Sequence, residues 1–90
     1  MNELNQDTRL RRVRYRSWHR GCKETDVILG RFADERLETL NGEQLTIYEK
    51  LIDEQDVDIW NWLVGKEPAT DAAYLPLLDL LRAHSDRANG

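Results

Sequence analysis

The chain has 90 residues, of which 40% are hydrophobic and 33% are charged, and its formal net charge is −4. A chain of this length forms one small domain with a modest core, so a large, water-excluding catalytic cavity is not expected. No apolar run approaches the ~20 residues that span a bilayer, no targeting segment is visible, and the single cysteine excludes an internal disulfide. We therefore expect a cytoplasmic protein that does not insert into membranes.

The charges are unevenly distributed along the chain. Residues 1–24 carry seven Lys or Arg side chains against three carboxylates, whereas the remainder is acidic. A basic helix on an acidic body predicts a docking surface that presents both signs of charge.

The first predicted helix covers residues 8–19. Asp7 or Thr8 is suited to cap its start, and Gly21 is suited to the left-handed position that follows a helix end. At about 100° per residue, its arginines form one stripe beside a narrow apolar stripe, so we expect a partly buried helix. The arginine stripe consists of Arg9, Arg12, Arg16 and Arg20.

The second predicted helix covers residues 23–40. Glu24 and Asp26 lie in its first turn, where the positive end of the helix dipole stabilises carboxylates. Gly30 lies in the interior, where glycine costs about 1 kcal/mol relative to alanine. A close packing contact at Gly30 is therefore expected.

The remaining predicted helices cover residues 42–54, 57–64 and 71–85. Asn41 precedes the first of them, with Gln44 three residues later in the pattern of a capping box. Helical spacing predicts buried faces on the third and fifth helices. These faces consist of Leu45, Tyr48, Leu51 and Ile52, and of Leu77, Leu78 and Leu81.

The residues that could start the last two predicted helices are less distinctive than the capping box of the third. Asp56 is suited to cap the fourth helix and Thr70 to cap the fifth. Pro76 must lie in the first turn of the fifth helix or bend it, and both termini of the chain are expected to fray.

Five short helices with short connections, and no strand alternation, predict an all-α fold: a single small five-helix bundle over residues 1–90.

No motif for catalysis, cofactor binding or metal binding stands in the sequence. Glycine-rich phosphate loops, His-x-x-x-His pairs and serine elbows are all absent from it. Glu24 and Asp26 are two residues apart on a helix and so point in different directions. They suit the start of a helix better than an acid/base pair. We therefore expect no catalytic residue, no metal site and no enzyme activity.

The arginine stripe has three interpretations. It could dock a protein, bind the phosphates of a nucleic acid, or be a solvated face without a partner. Nucleic-acid-binding domains are usually basic overall, whereas this chain has a pI of about 5.1. We prefer protein docking and expect no nucleic-acid partner.

Trp60 and Trp62 lie about 200° apart on the fourth helix. One ring is expected in the core and the other at the surface, and the sequence does not say which. An exposed tryptophan is suited to anchoring a partner, because Trp and Arg dominate the hot spots of protein interfaces.

The segment Arg20-Gly21-Cys22-Lys23-Glu24 resembles the Arg-Gly-x-x-Glu signature of the succinate dehydrogenase assembly factor family. A second segment, Asp56-Val57-Asp58-Ile59-Trp60-Asn61-Trp62-Leu63, is similar to the family's acidic-aromatic-Asn-Trp segment. The resemblance covers about residues 9–85. The family comprises small bacterial flavinylation factors and their relative, the mitochondrial assembly factor 2.

The resemblance implies a five-helix bundle with a non-enzymatic role in the bacterial cytoplasm. Members of the family bind the flavoprotein subunit of succinate dehydrogenase, and in bacteria also that of fumarate reductase. They promote covalent attachment of FAD to a histidine of that subunit. The FAD then belongs to the client, so we expect no cofactor on this chain, and we expect a monomer. The alternative is an unrelated helical protein-interaction module.

The resemblance carries the family's functional residues onto Arg20, Gly21 and Glu24. We expect Gly21 to let the client approach the backbone closely, and Arg20 and Glu24 to form charge-assisted hydrogen bonds across the contact. The basic stripe and an exposed tryptophan would extend this surface. The predicted partner-binding residues are Arg16, Arg20, Gly21, Glu24, Asp26, Trp60 and Trp62.

Overall fold

A computed structural model of the chain describes the backbone of residues 2–89 and the side chains of residues 6–86. Within this range the chain forms five α-helices and two short 3-10 turns, and no strand. The helices are α1 (Asn2–Trp18), α2 (Lys23–Arg36), α3 (Gly42–Leu51), α4 (Asp56–Leu63) and α5 (Leu75–Asn89). The predicted all-α five-helix bundle is confirmed.

The core forms where the apolar faces of the helices meet, and α1 packs mainly against α2. The faces predicted for α3 and α5 are buried, as expected. Tyr48 lies at the centre, where its hydroxyl donates to the carbonyl oxygen of Leu29 at 3.2 Å and lies 2.8 Å from the hydroxyl of Ser17. Burial raises the pKa of Tyr48, so this hydroxyl stays protonated and joins α1, α2 and α3.

The terminal helices differ from the prediction in different ways: α1 is longer, whereas α5 keeps its predicted length but begins and ends four residues later than 71–85. α1 begins at Asn2, so neither Asp7 nor Thr8 caps it, and α5 continues beyond Ser85 to Asn89. Within residues 2–89 both terminal segments are helical, and the expected fraying of the termini stays a prediction. A possible cap marks only where a helix could start; a nucleated helix extends through good helix formers such as Glu, Gln, Arg and Ala.

The second and third helices are shorter than predicted. α2 ends at Arg36, and the 3-10 turn Leu37–Thr39 follows it. The Thr39 hydroxyl donates to the Arg36 carbonyl oxygen at 2.6 Å, a local bond that competes with the continuing helix. The capping box of α3 is confirmed: Gln44 N–H donates to Asn41 Oδ1 at 2.8 Å and Asn41 N–H to Gln44 Oε1 at 3.0 Å.

Two predicted caps are wrong. Gln55, not Asp56, is the N-cap of α4 and makes no side-chain cap bond. The fifth helix is preceded by the 3-10 turn Ala72–Tyr74, where Asp71 rather than Thr70 accepts a backbone N–H, that of Ala73 at 2.9 Å. Pro76 lies in the first turn of α5, as expected. No helix within residues 2–89 has both the length and the apolar character needed to cross a membrane.

Candidate protein-docking site

The turn between α1 and α2 is fixed by an aspartate of α2. Gly21 has φ +110°, a conformation that L side chains rarely adopt. The Asp26 carboxylate folds back onto this turn, where it accepts the N–H of Arg20 at 2.8 Å and the N–H of Gly21 at 3.4 Å. Asp26, a predicted partner-binding residue, thus uses both carboxylate oxygens inside the chain.

The Arg20 side chain is turned onto the start of α4. Its Nε donates to Asp56 Oδ1 at 2.7 Å, and its guanidinium also contacts the carbonyl oxygen of Glu54. Only 12% of the Arg20 side chain is exposed. Arg20 therefore pairs with Asp56 rather than with Glu24, and it holds the Gly21 turn against α4.

Substitution of Arg20 by glutamine is expected to lower the free energy of unfolding by about 1–3 kcal/mol, because it leaves the partly buried Asp56 carboxylate unpaired. Arg16 provides a matched control, because it also pairs with an aspartate, Asp53, but in this pair the two side chains are 35% and 65% exposed. Arg16→Gln should lower the free energy of unfolding by no more than about 1 kcal/mol. Urea denaturation measures both values, and equal losses would contradict the anchoring role of Arg20.

Glu24 presents an exposed carboxylate beside the turn. Its own backbone N–H and the thiol of Cys22, which donates to Glu24 Oε2 at 3.3 Å, hold the pKa of Glu24 below its ordinary value. The carboxylate thus remains charged at neutral pH, with capacity to accept hydrogen bonds from a partner.

The outer face of α4 exposes an apolar ridge of three side chains. Val57, Trp60 and Val64, spaced at i, i+3 and i+7, are 59%, 36% and 53% exposed. Trp62 instead lies in the core, where its ring is 5.7 Å from that of Tyr74. The predicted division between one buried and one exposed tryptophan is confirmed, with Trp60 at the surface.

The Trp60 ring lies between two surface hollows and contributes to the lining of both. On one side, a hollow of about 490 Å³ is lined by Cys22, Glu24, Asp56, Val57 and Trp60. Gly21 adjoins this hollow, because a Cβ atom placed on it would lie 3.9 Å from Asp56 Oδ2. We define the Gly21 face as Gly21, Glu24, Val57 and Trp60. It combines an unhindered backbone, a carboxylate and an apolar ridge.

Most of the N-terminal arginines are engaged within the chain. Their partners belong to α3 and to the segments around it. The ion pairs are Arg9–Glu49 at 2.5 Å, Arg14–Glu38 at 2.8 Å, Arg16–Asp53 and Arg20–Asp56 at 2.7 Å. The basic helix therefore pairs most of its arginines with the acidic body that it packs against, while the docking surface of two signs stays a prediction.

Three features of the site escaped the sequence prediction. Asp56 was interpreted as a helix cap, and the exposed positions of Val57 and Val64 were not recognised. The available signal was a helix of eight residues with apolar side chains on more than half of its circumference. Part of so wide an apolar face must remain uncovered at the surface of a small bundle. Among the described residues, no three His, Cys, Asp or Glu side chains are placed to share a metal ion.

Comparisons with known proteins place this chain in a family. Residues 11–85 match a family model described as flavinator of succinate dehydrogenase. The FAD assembly factor SdhE of Acetobacter pasteurianus is 34% identical over 76 residues, which cover 84% of this chain and 70% of that protein. No solved structure matches the chain.

Mitochondrial proteins are similar as well. Succinate dehydrogenase assembly factor 2 of Cryptococcus neoformans is 35% identical over 88 residues, or 94% of this chain and 50% of that protein. Assembly factor 2-B of Drosophila mojavensis is 34% identical over 84 residues, or 91% and 54%. This chain thus spans about half the length of these mitochondrial relatives. From the family match over residues 11–85 and these identities, the chain belongs to the family of succinate dehydrogenase flavinators, the assembly factor family that its Arg-Gly-x-x-Glu segment resembles.

Proposed function

We propose that this chain binds the flavoprotein subunit of succinate dehydrogenase and promotes covalent attachment of FAD to that subunit. The observation that carries the proposal is the family match over residues 11–85, which includes all of the Gly21 face. The names of the relatives, an FAD assembly factor and succinate dehydrogenase assembly factors, support it.

The proposed mechanism is positioning without bond chemistry on this chain. The reacting histidine and the FAD both belong to the client, so the factor needs only to hold the client in a reactive arrangement. Correct positioning alone can supply about 7–11 kcal/mol of a barrier. The sequence has no Gly-x-Gly-x-x-Gly fingerprint for a dinucleotide, which supports leaving the FAD with the client.

The proposed roles of the site residues follow from their contacts. Gly21, Glu24 and Trp60 touch the client, because they are exposed and lie together. Arg20 and Asp26 are positioning residues, because their hydrogen bonds to Asp56 and to the turn are made inside the chain. In addition, Arg16 is half-exposed and paired with Asp53, and the buried Trp62 supports α4 from the core.

Substitution of Trp60 by alanine is expected to weaken binding of the purified flavoprotein subunit by about 2 kcal/mol, or roughly 30-fold in Kd, as for a central aromatic anchor. Because the ring is only 36% exposed, the substitution also removes packing, so Kd is compared at a temperature where thermal denaturation shows both proteins to be folded. Isothermal titration calorimetry with the flavin-free subunit measures Kd, and covalent flavin fluorescence of that subunit in a strain lacking the factor measures function.

Tyr15→Ala is the matched control for this measurement. Tyr15 is also an exposed aromatic, at 66%, but it lies on α1, where its ring is tilted against that of His19 with centroids 4.2 Å apart. The Tyr15→Ala variant should bind the flavoprotein subunit with a Kd within twofold of the wild-type value. If the wild-type chain neither binds the subunit nor raises its covalent flavin, the proposed function is wrong; if Trp60→Ala and Tyr15→Ala behave alike, the Gly21 face is not the contact.

A further inference from the structure

We propose that a second groove, between α2, α4 and α5, receives one segment of the client in which an apolar side chain lies between two carboxylates. This inference rests on the proposed function, and it adds the chemistry of the recognised segment. The groove has a volume of about 530 Å³, and Lys23, Val27, Arg31 and Trp60 are among its lining residues.

The α2 wall of the groove carries a repeating pattern. Lys23, Val27 and Arg31 follow one another at four-residue spacing, so they form one stripe along the helix. At 1.5 Å rise per residue, the two cations start about 12 Å apart along the helix axis, with the valine midway. A complementary segment would hold two carboxylates about 12 Å apart on either side of an apolar side chain.

The two cations keep their charged ends exposed, although Lys23 lies near the Glu24 carboxylate and helps to lower its pKa. Both Lys23 and Arg31 are exposed, and neither forms an ion pair with a carboxylate in the described part of the chain. On the neighbouring α1, Arg9, Arg14 and Arg16 are already paired, whereas Arg11 and Arg12 form no ion pair among the described residues and do not line the groove. In a chain of net charge −4, an unpaired cationic stripe favours an acidic partner segment.

The groove is continuous with the Gly21 face. Glu24 and Trp60 line both this groove and the hollow beside Gly21. Ile28 contributes to the apolar floor, where it packs against the hydrophobic core. The Trp60 ring is therefore a ridge between two adjoining depressions, a shape suited to a protein surface crossing both of them rather than to an enclosed small molecule.

The test is the affinity of the purified flavin-free flavoprotein subunit for charge-reversal variants. The double variant Lys23→Glu/Arg31→Glu is expected to raise Kd about tenfold or more near physiological salt, and to flatten the dependence of Kd on salt concentration. Arg36→Glu/Lys66→Glu is the matched control, because it makes the same charge change at two exposed positions outside the groove. The control should change Kd by less than about twofold.

A second measurement identifies the segment. A photo-crosslinking amino acid at position 27 should capture a stretch of the flavoprotein subunit that carries an apolar residue between two acidic ones. Capture of a basic or uncharged stretch, or equal Kd values for the two double variants, would overturn the groove proposal. If the wild-type chain fails to bind the subunit at all, the failure is instead that of the proposed function.

Discussion

Gly21→Arg is expected to abolish covalent flavinylation of the client flavoprotein. The substitution places a long, charged side chain at the centre of the Gly21 face, next to the Asp56 carboxylate, which would lie 3.9 Å from the new Cβ. The client surface could then no longer reach the backbone. Covalent flavin fluorescence of the flavoprotein subunit, in a strain that lacks the factor, should fall to the level without any factor.

The same substitution also strains the fold. Gly21 has φ +110°, and a side chain held in a sparsely populated backbone region costs about 1–3 kcal/mol. We expect the variant to remain folded but with a lower melting temperature. The structure thereby refines the interpretation of Gly21 as a simple helix cap, under which Gly21→Asn would be nearly silent. Its φ lies well beyond the left-handed helical region, near +60°, that Asn tolerates.

Gly21→Ala separates the two effects. It imposes the same backbone strain, but its methyl group meets nothing closer than 3.9 Å. The alanine variant should therefore lose stability as the arginine variant does and still support flavinylation at a temperature where both are folded. Full activity of Gly21→Arg would contradict close approach at Gly21, whereas loss of activity in both variants would assign the defect to the conformation of the turn.

Gly30→Val is expected to lower the free energy of unfolding by about 3 kcal/mol, the upper part of the range for overpacked cores. A Cβ atom at Gly30 would lie 2.2 Å from a ring atom of Trp18, closer than atoms can pack. Moving the ring aside would break the hydrogen bond that its Nε1 donates to Asp34 Oδ2 at 3.1 Å. The expected close packing contact at Gly30 is thus confirmed, and it brings the end of α1 against α2.

Two controls make the Gly30 result specific. Gly42→Ala adds a methyl group with nothing within 4 Å, so it should be neutral or slightly stabilising. In a Trp18→Leu background, Gly30→Val should cost at least about 1 kcal/mol less than in the wild-type chain, because the clashing ring is gone. Thermal or urea denaturation measures each variant. An identical loss in both backgrounds would show that the ring contact is not the cause.

Local sequence signals predicted much of the fold. The Asn41–Gln44 capping box and the apolar period through Tyr48 were right, because each depends on residues three or four apart on one helix. Helix ends were less predictable. Thr39 ends α2 through a bond to the Arg36 carbonyl oxygen, and such bonds compete with helix continuation without excluding it.

The Arg-Gly-x-x-Glu segment and the acidic-aromatic segment of α4 were sufficient to identify the family from the sequence, because a motif is a local pattern of residue types. Only the tertiary structure decided how those residues are used. It turned Arg20 inward onto Asp56, folded Asp26 back onto the Gly21 turn, and left Trp60 rather than Trp62 at the surface. The physical reason is that an ion pair between α4 and the α1–α2 turn, and the choice of which helix face is covered, depend on how separate helices pack, and no spacing within one helix encodes that packing.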